Sequence, residues 1–265
     1  MFSTNSRMQR FAMTSPTSFA SRAIVTGHTR GLGAALSEVL LARGFAVLGA
    51  ARKRHPALAA RFPGAFEEVE VDLSDAQDVE RWLADGNVQR FLQGARLALL
   101  VNNAGTAQPI GPCSAQSPAD VGRSVVLNVA APLMLSSAFA AATAGAPDRR
   151  IAHVSSGAAR NAYAGWSIYC ATKAALDHHA RSIALDAEPA LRIATIAPGV
   201  VDTDMQAEIR NVDEAHFPSR QKFVDLKRSG QLTSPEQAAT KFVDYLLSDA
   251  YGQSPTVDLR SLPTQ

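Results

Sequence analysis

Ala23-Ile24-Val25-Thr26-Gly27-His28-Thr29-Arg30-Gly31-Leu32-Gly33 is the stretch whose reading decides the architecture of this chain. Ala23 to Thr26 reads as a short buried strand, and an amphipathic pattern continues from Leu32 to Arg43 as a helix. Three glycines stand between and at the start of that helix. They let the backbone turn sharply and let an anion such as a phosphate approach the helix N-terminus, where unpaired N–H groups and the helix dipole favour negative charge. A glycine turn also occurs where nothing binds. The weight given to Gly27, Thr29, Arg30, Gly31, Leu32 and Gly33 as ligand-binding residues therefore depends on the rest of the chain.

Outward from this turn, short apolar runs alternate with helical segments. Strands are expected at Ala46–Ala50, Phe66–Val71, Leu97–Val101, Arg150–Ser155 and Arg192–Ala197, with a possible edge strand at Thr256–Leu259. Helices are expected over about 75–91, over the long run Pro118–Thr143, over an alanine-rich segment finishing at Asp177–Glu188 before Pro189, and from Ser234-Pro235-Glu236 to Leu247. Ser234 suits an N-cap and Pro235 a first turn. The polar segment from Gln206 to Arg228, carrying Phe217 and Phe223, reads as a mobile helical cover over a pocket. Strand–helix alternation of this kind predicts an α/β fold: one doubly wound parallel sheet of about seven strands with helices on both faces.

Composition narrows the function classes. At 265 residues with 46% hydrophobic content the chain can bury one large core but has little left for a second domain. A formal charge of +2 and the lack of a dense Lys/Arg run give no footprint for nucleic acid or an anionic membrane. No apolar run is read as approaching the roughly 18 residues a membrane span needs. Cys113 and Cys170 have neither metal-ligand nor disulfide-framework spacing, which points to a reducing, cytoplasmic setting and to no metal. Residues 1–21, rich in Ser and Thr with Arg7 and Arg10 and no acidic residue, could mimic a transit peptide; they are read as a disordered N-terminal extension, with 22–265 forming the domain.

The second strand ends in Ala50-Ala51-Arg52-Lys53-Arg54. A dinucleotide-binding fold that selects NAD places an acidic residue here, about 20 residues past the glycines, to hold the ribose hydroxyls. A carboxylate would repel a 2′-phosphate, whereas a guanidinium binds one through charge-assisted hydrogen bonds. Arg52 and Arg30 thus point to NADP(H); the alternative is a solvated basic loop. Asn103, Ala104 and Gly105 follow the fully apolar fourth strand, at the end of the sheet where ligands of parallel sheets sit.

Acid–base chemistry is suggested by a second stretch, Ser155-Ser156-Gly157 followed by Trp166-Ser167-Ile168-Tyr169-Cys170-Ala171-Thr172-Lys173. A strand end delivers a hydroxyl, and a helix presents Tyr169 and Lys173 on one face at i and i+4. An ammonium beside a phenol favours the phenolate and is expected to lower its pKa toward neutrality. Asn128 lies among Val125, Val126, Leu127 and Val129, where a polar amide must find partners.

These motifs together resemble the short-chain dehydrogenase/reductase family, from Arg22 to Leu259. The likeness is carried by the Thr26–Gly33 turn, Asn102-Asn103-Ala104-Gly105, Asn128, Ser156, Tyr169, Lys173 and Pro198-Gly199, with Ser156 thirteen positions before Tyr169. Ser155-Ser156-Gly157-Ala158-Ala159, Tyr169-Cys170 and Val201-Asp202-Thr203-Asp204-Met205-Gln206 are similar to its sepiapterin reductase and benzil reductase branch, which reduces carbonyls with NADPH. The resemblance implies a Rossmann-type fold and a small-molecule ketone or vicinal dicarbonyl as substrate. It implies that Tyr169 is the proton donor, that Ser156 holds the carbonyl oxygen, that Lys173 holds the nicotinamide ribose, and that Asn128 holds a water leading to Lys173. It further implies contacts from Pro198, Gly199, Val201 and Thr203 to the nicotinamide end and from Asp72 and Leu73 to the adenine, and a homodimer or homotetramer. Tyr163, Trp166, Met205 and Ile209 are expected as substrate walls and Phe217 as a lid residue. Asp258 is similar to the aspartate that anchors the pterin in sepiapterin reductases, but Leu259-Arg260 follows it in place of aromatic residues. The rival function is a non-catalytic NADP(H)-sensing protein on the same fold, disfavoured by the intact Asn128, Ser156, Tyr169 and Lys173 set.

Overall fold

A computed structural model describes residues 19–262. Seven strands form one parallel sheet in the order β3-β2-β1-β4-β5-β6-β7: β1 (Ser21–Thr26), β2 (Ala46–Ala51), β3 (Phe66–Glu70), β4 (Leu97–Asn102), β5 (Asp148–Val154), β6 (Leu191–Ala197) and β7 (Thr256–Asp258). Chain order reverses between β1 and β4, and a crevice opens at such a switch point beyond the carboxyl ends of the strands.

Alternation along each strand assigns its side chains to two cores. Ala23, Val25, Val47, Leu99, Val101 and Ile196 face α1 (Gly31–Ala42) and, across the sheet, α10 (Pro235–Leu247). Ile24, Leu48, Leu100, Ile151 and Ile193 face the other side, against α3 (Ala76–Ala84), α4 (Asn87–Leu92), α6 (Ala131–Ala142) and α7 (Ser167–Asp186). Being covered on both faces explains why β4 reads as a continuous apolar run rather than an alternating one. The remaining helices are α2 (Leu58–Arg61), α5 (Pro118–Val125), α8 (Asp204–Arg210) and α9 (Arg220–Arg228). The Ser234 hydroxyl caps α10 by accepting from the Gln237 N–H at 3.2 Å.

Four expectations are corrected. The domain begins earlier than Arg22, because Ser21 opens β1 and Phe19 packs on the second core; the expected extension otherwise lies outside the described residues. The helix over 75–91 is two helices, since Gly86 takes the left-handed conformation (φ +71°) and starts a new direction. The long helix is continuous from Pro118 to Ala142 but passes through a π-helical turn at Val126–Ala130 that contains Asn128. Its best 18-residue window has mean hydropathy 1.8, so by length and composition it does reach membrane-span values, although Ala131, Leu135 and Phe139 pack on the second core.

Candidate active site

The glycine turn is held by the loop after β4. Thr26 Oγ1 accepts the N–H groups of Asn103 (2.9 Å) and Ala104 (3.0 Å), and Asn103 Nδ2 donates to the Thr26 oxygen at 2.8 Å. A Cβ on Gly33 would stand 2.1 Å from the Gly27 oxygen, so only hydrogen fits there. Helix α1 begins with no side-chain cap and no acidic residue in its first turn. Its first N–H groups thus lack an intrahelical partner and face the crevice, which is what an anion-binding helix end requires. The turn and the bare helix end fit the phosphates of a dinucleotide.

A cleft of about 1300 Å³ runs from this turn to the end of β5. Gly27, Thr29, Arg30, Gly31, Leu32, Gly33, Arg52, Asp72, Leu73, Asn103, Ala104, Gly105, Pro198, Gly199, Val201 and Thr203 all line it, as do Ser156, Tyr169, Lys173, Tyr163, Trp166, Met205 and Ile209. The basic end differs from expectation in one respect. Arg30 donates to Asp204 across the cleft at 2.9 Å, so part of its charge is already answered. Arg52 is exposed and makes no ion pair among the described residues. Partial burial pushes the Asp72 carboxyl up, but the Ser74 hydroxyl and N–H, together with Arg52, hold it below the usual carboxylate range.

At the other end, helix α7 buries Tyr169, Thr172, Lys173, Leu176, Asp177 and Ala180 along one face, the spacing of a single helical stripe. Ser156 leaves β5 in extended conformation and accepts the Ala158 N–H at 3.2 Å, which starts a short turn and fixes the hydroxyl toward the phenol. The expected acidification of Tyr169 is not found. Burial raises the phenol above its ordinary value, and only the Ser156 hydroxyl opposes this. The Lys173 ammonium lies 5.8 Å from the Tyr169 ring centroid and donates instead to the Val154 oxygen at 2.7 Å. Burial lowers Lys173 to about 8, with Asp177 pulling it back up. The phenol is therefore held protonated, the form that donates to an oxygen.

Three expected site residues lie behind the cleft. Asn128 is buried and braces it: Oδ1 accepts the Thr106 N–H (2.9 Å), and Nδ2 donates to the Thr106 oxygen (2.8 Å) and to Thr172 Oγ1 (3.2 Å). Its side chain links the loop after β4 to α7, so its amide is already committed to protein partners. Phe217 is fully buried with its ring 4.5 Å from Trp166 and 5.7 Å from Phe223, so it is the core of the helical cover rather than a lid side chain. Asp258 is bound by Arg260 (Nε to Oδ1 2.9 Å, Nη2 to Oδ2 2.7 Å) and by Arg160 at 3.4 Å, which leaves no carboxylate directed at a ligand. Arg260, not Asp258, lines the cleft. Lys222, Gln231 and Thr233 also line it and were not read from the sequence. They come from a polar segment without periodic signal, which is brought over the site by the Val201–Thr233 bridge, the Lys227–Asp202 ion pair and the packing of Phe223 on Trp166.

The sequence pattern described as short chain dehydrogenase matches residues 21–214, most of the described chain. The chain belongs to the short-chain dehydrogenase family. Among curated members of that family it is 31% identical to a benzil reductase ((S)-benzoin forming) from Bacillus cereus, over 88% of this chain and 97% of the relative. It is 30% identical to sepiapterin reductase from Bos taurus, over 89% and 92%. Among solved short-chain dehydrogenases, one from Burkholderia vietnamiensis is 53% identical and covers 92% of this chain and 99% of its own, with a TM-score of 0.68. One from Burkholderia cenocepacia, in complex with NADP, is 26% identical over 90% and 95% with a TM-score of 0.73. Membership makes this chain an oxidoreductase.

Proposed function

We propose that this short-chain dehydrogenase is an NADPH-dependent carbonyl reductase acting on ketones or vicinal dicarbonyls of the benzil or sepiapterin type. The observation that carries the reading is a single cleft with an unpaired guanidinium, Arg52, at one end and the buried Tyr169 phenol paired with the half-buried Ser156 hydroxyl at the other. A glycine cradle lies between them. NADP bound to the Burkholderia cenocepacia relative supports the cofactor, and the benzil reductase relative supports the substrate.

When bound, the cofactor supplies the hydride. The protein's residues orient the acceptor and manage its oxygen. Ser156 donates a hydrogen bond to the carbonyl oxygen and stabilises the charge that develops there. Tyr169, held protonated by burial, gives its proton to the same oxygen. Lys173, anchored on the Val154 oxygen, supplies positive charge close to the phenol and donors toward a ribose. Trp166 and Tyr163, with ring centroids 5.5 Å apart, shield this end from water. The exposed Val125 and the largely unburied apolar run Pro118–Ala142 suit a second copy of the chain, in keeping with a homodimer or homotetramer. Cys113 and Cys170 are both unpaired, which supports placing the enzyme in the reducing cytoplasm.

The test is oxidation of NADPH, followed by absorbance, with benzil and 1-phenyl-1,2-propanedione. Turnover with NADPH well above that with NADH is expected. Tight NADPH binding without turnover of any ketone or diketone would instead favour the cofactor-sensing role.

A further inference from the structure

Past Tyr169 the cleft ends in a corner built around a second phenol. Lys222, from α9, holds its ammonium 5.6 Å from the Tyr163 ring centroid and makes no ion pair among the described residues. Arg260, from the chain beyond β7, lies against Gly199 and lines the same cleft as Tyr163 and Lys222. Behind them runs a chain of ionic contacts that does not open to the cleft. Asp258 binds both Arg260 and Arg160; Arg160 lies 3.9 Å from Asp177, and Asp177 accepts the Ser155 hydroxyl at 2.7 Å. Three cations therefore face two carboxylates, and both carboxylates are on the inner side. Of these five groups only Lys222 and Arg260 line the cleft, and both are positive. Glu208, on α8, also borders the cleft but is exposed and forms no ion pair with Lys222.

The aromatic wall sets what this corner can hold. Trp166 stands 5.1 Å from the Tyr169 ring and 5.5 Å from the Tyr163 ring, so one aromatic side chain packs against both the proton donor and the corner. We propose that the preferred substrates are aryl ketones or diketones bearing a carboxylate on the far side of the ring, bound between Lys222 and Arg260 while the carbonyl rests on Ser156 and Tyr169. This rests on the carbonyl reductase reading of the same cleft. A carboxylate held there gains the unpaired Lys222 ammonium and the remaining donors of Arg260, whose charge is partly answered by Asp258 and whose guanidinium that pair orients.

The experiment compares 4-carboxybenzil with its methyl ester. Calorimetric titration of the wild-type protein is expected to show at least tenfold tighter binding of the acid. That preference should fall severalfold in Lys222→Met, an exposed position, further in Lys222→Met with Arg260→Gln, and also at high salt because the ammonium is exposed. The same preference in wild type and both variants, or none in the wild type, overturns the proposal. Benzil with NADPH is the independent arm. If benzil is reduced and the acid shows no preference, this inference alone fails. If the calorimetric preference appears and benzil is not reduced, the reductase reading fails while the anionic corner stands.

Discussion

Lys173 donates its ammonium to the main-chain oxygen of Val154 at 2.7 Å, tying α7 to the last residue of β5. The strand that delivers Ser156 and the helix that carries Tyr169 are therefore joined by the third member of the set. The cost is a buried positive charge, since burial lowers Lys173 to about 8 from an ordinary value of 10.5.

That cost has a measurable sign. Below pH 8 the lysine is charged in both folded and unfolded states, and the folded state carries the full penalty; between 8 and 10.5 the folded lysine is neutral and the penalty fades. Lys173→Met is expected to lose turnover by more than a hundredfold and yet to melt at or above the wild-type temperature at pH 7, with the difference shrinking as pH rises from 8 to 10.5. A melting temperature well below wild type at pH 7 would show that the bond to Val154 outweighs the burial penalty.

Tyr169→Phe removes the proton donor and leaves the glycine cradle and Arg52 in place. Turnover should drop below a few per cent of wild type while the NADPH dissociation constant, measured by fluorescence titration, stays nearly unchanged. Because burial raises the phenol, no loss of rate from Tyr169 ionising is expected between pH 6 and 9.

Arg52→Ala should weaken NADPH far more than NADH, because a charge-assisted contact contributes roughly 1.5 to 3 kcal/mol, about ten- to a hundredfold in affinity. Arg30→Ala should discriminate less, as its guanidinium is already engaged by Asp204. Equal losses for both cofactors in Arg52→Ala would assign that arginine to the solvent.

Gly33→Ala places a methyl group 2.1 Å from the Gly27 oxygen in the turn and 2.4 Å from Asn103 Nδ2 in the loop that holds it. Backbone has to move, so NADPH should no longer raise the melting temperature in a thermal-shift assay. An alanine variant that keeps the full NADPH shift would remove the turn from the binding site.

Asn128→Ala leaves the half-buried Thr106 N–H and oxygen without their partners, and an unpaired group costs about 1 to 3 kcal/mol when fully buried and less where water from the cleft reaches it. Chemical denaturation should show a stability loss of that order. Asn128→Asp keeps the Thr106 N–H bond but loses both Nδ2 bonds, and is expected to recover only part of the loss.

Local rules in the sequence determined the seven parallel strands, the glycine cradle and the shared helix face of Tyr169 and Lys173, through apolar periodicity, glycine at tight turns and i, i+4 spacing, signals that act within a few residues. Arg52 is read from the missing acidic residue after the second strand, and Ser156 from its place in the family's motif. Tertiary structure alone decided which charges meet. Lys173 bonds a strand carbonyl rather than the phenol, Arg30 is answered by Asp204 174 positions later, and Asp258 is enclosed by Arg160 and Arg260 so that a guanidinium faces the cleft. Phe217 likewise becomes core because α8 and α9 fold over Trp166. Charge and burial are properties of the neighbours a residue acquires across the sheet, and those neighbours are distant in the chain.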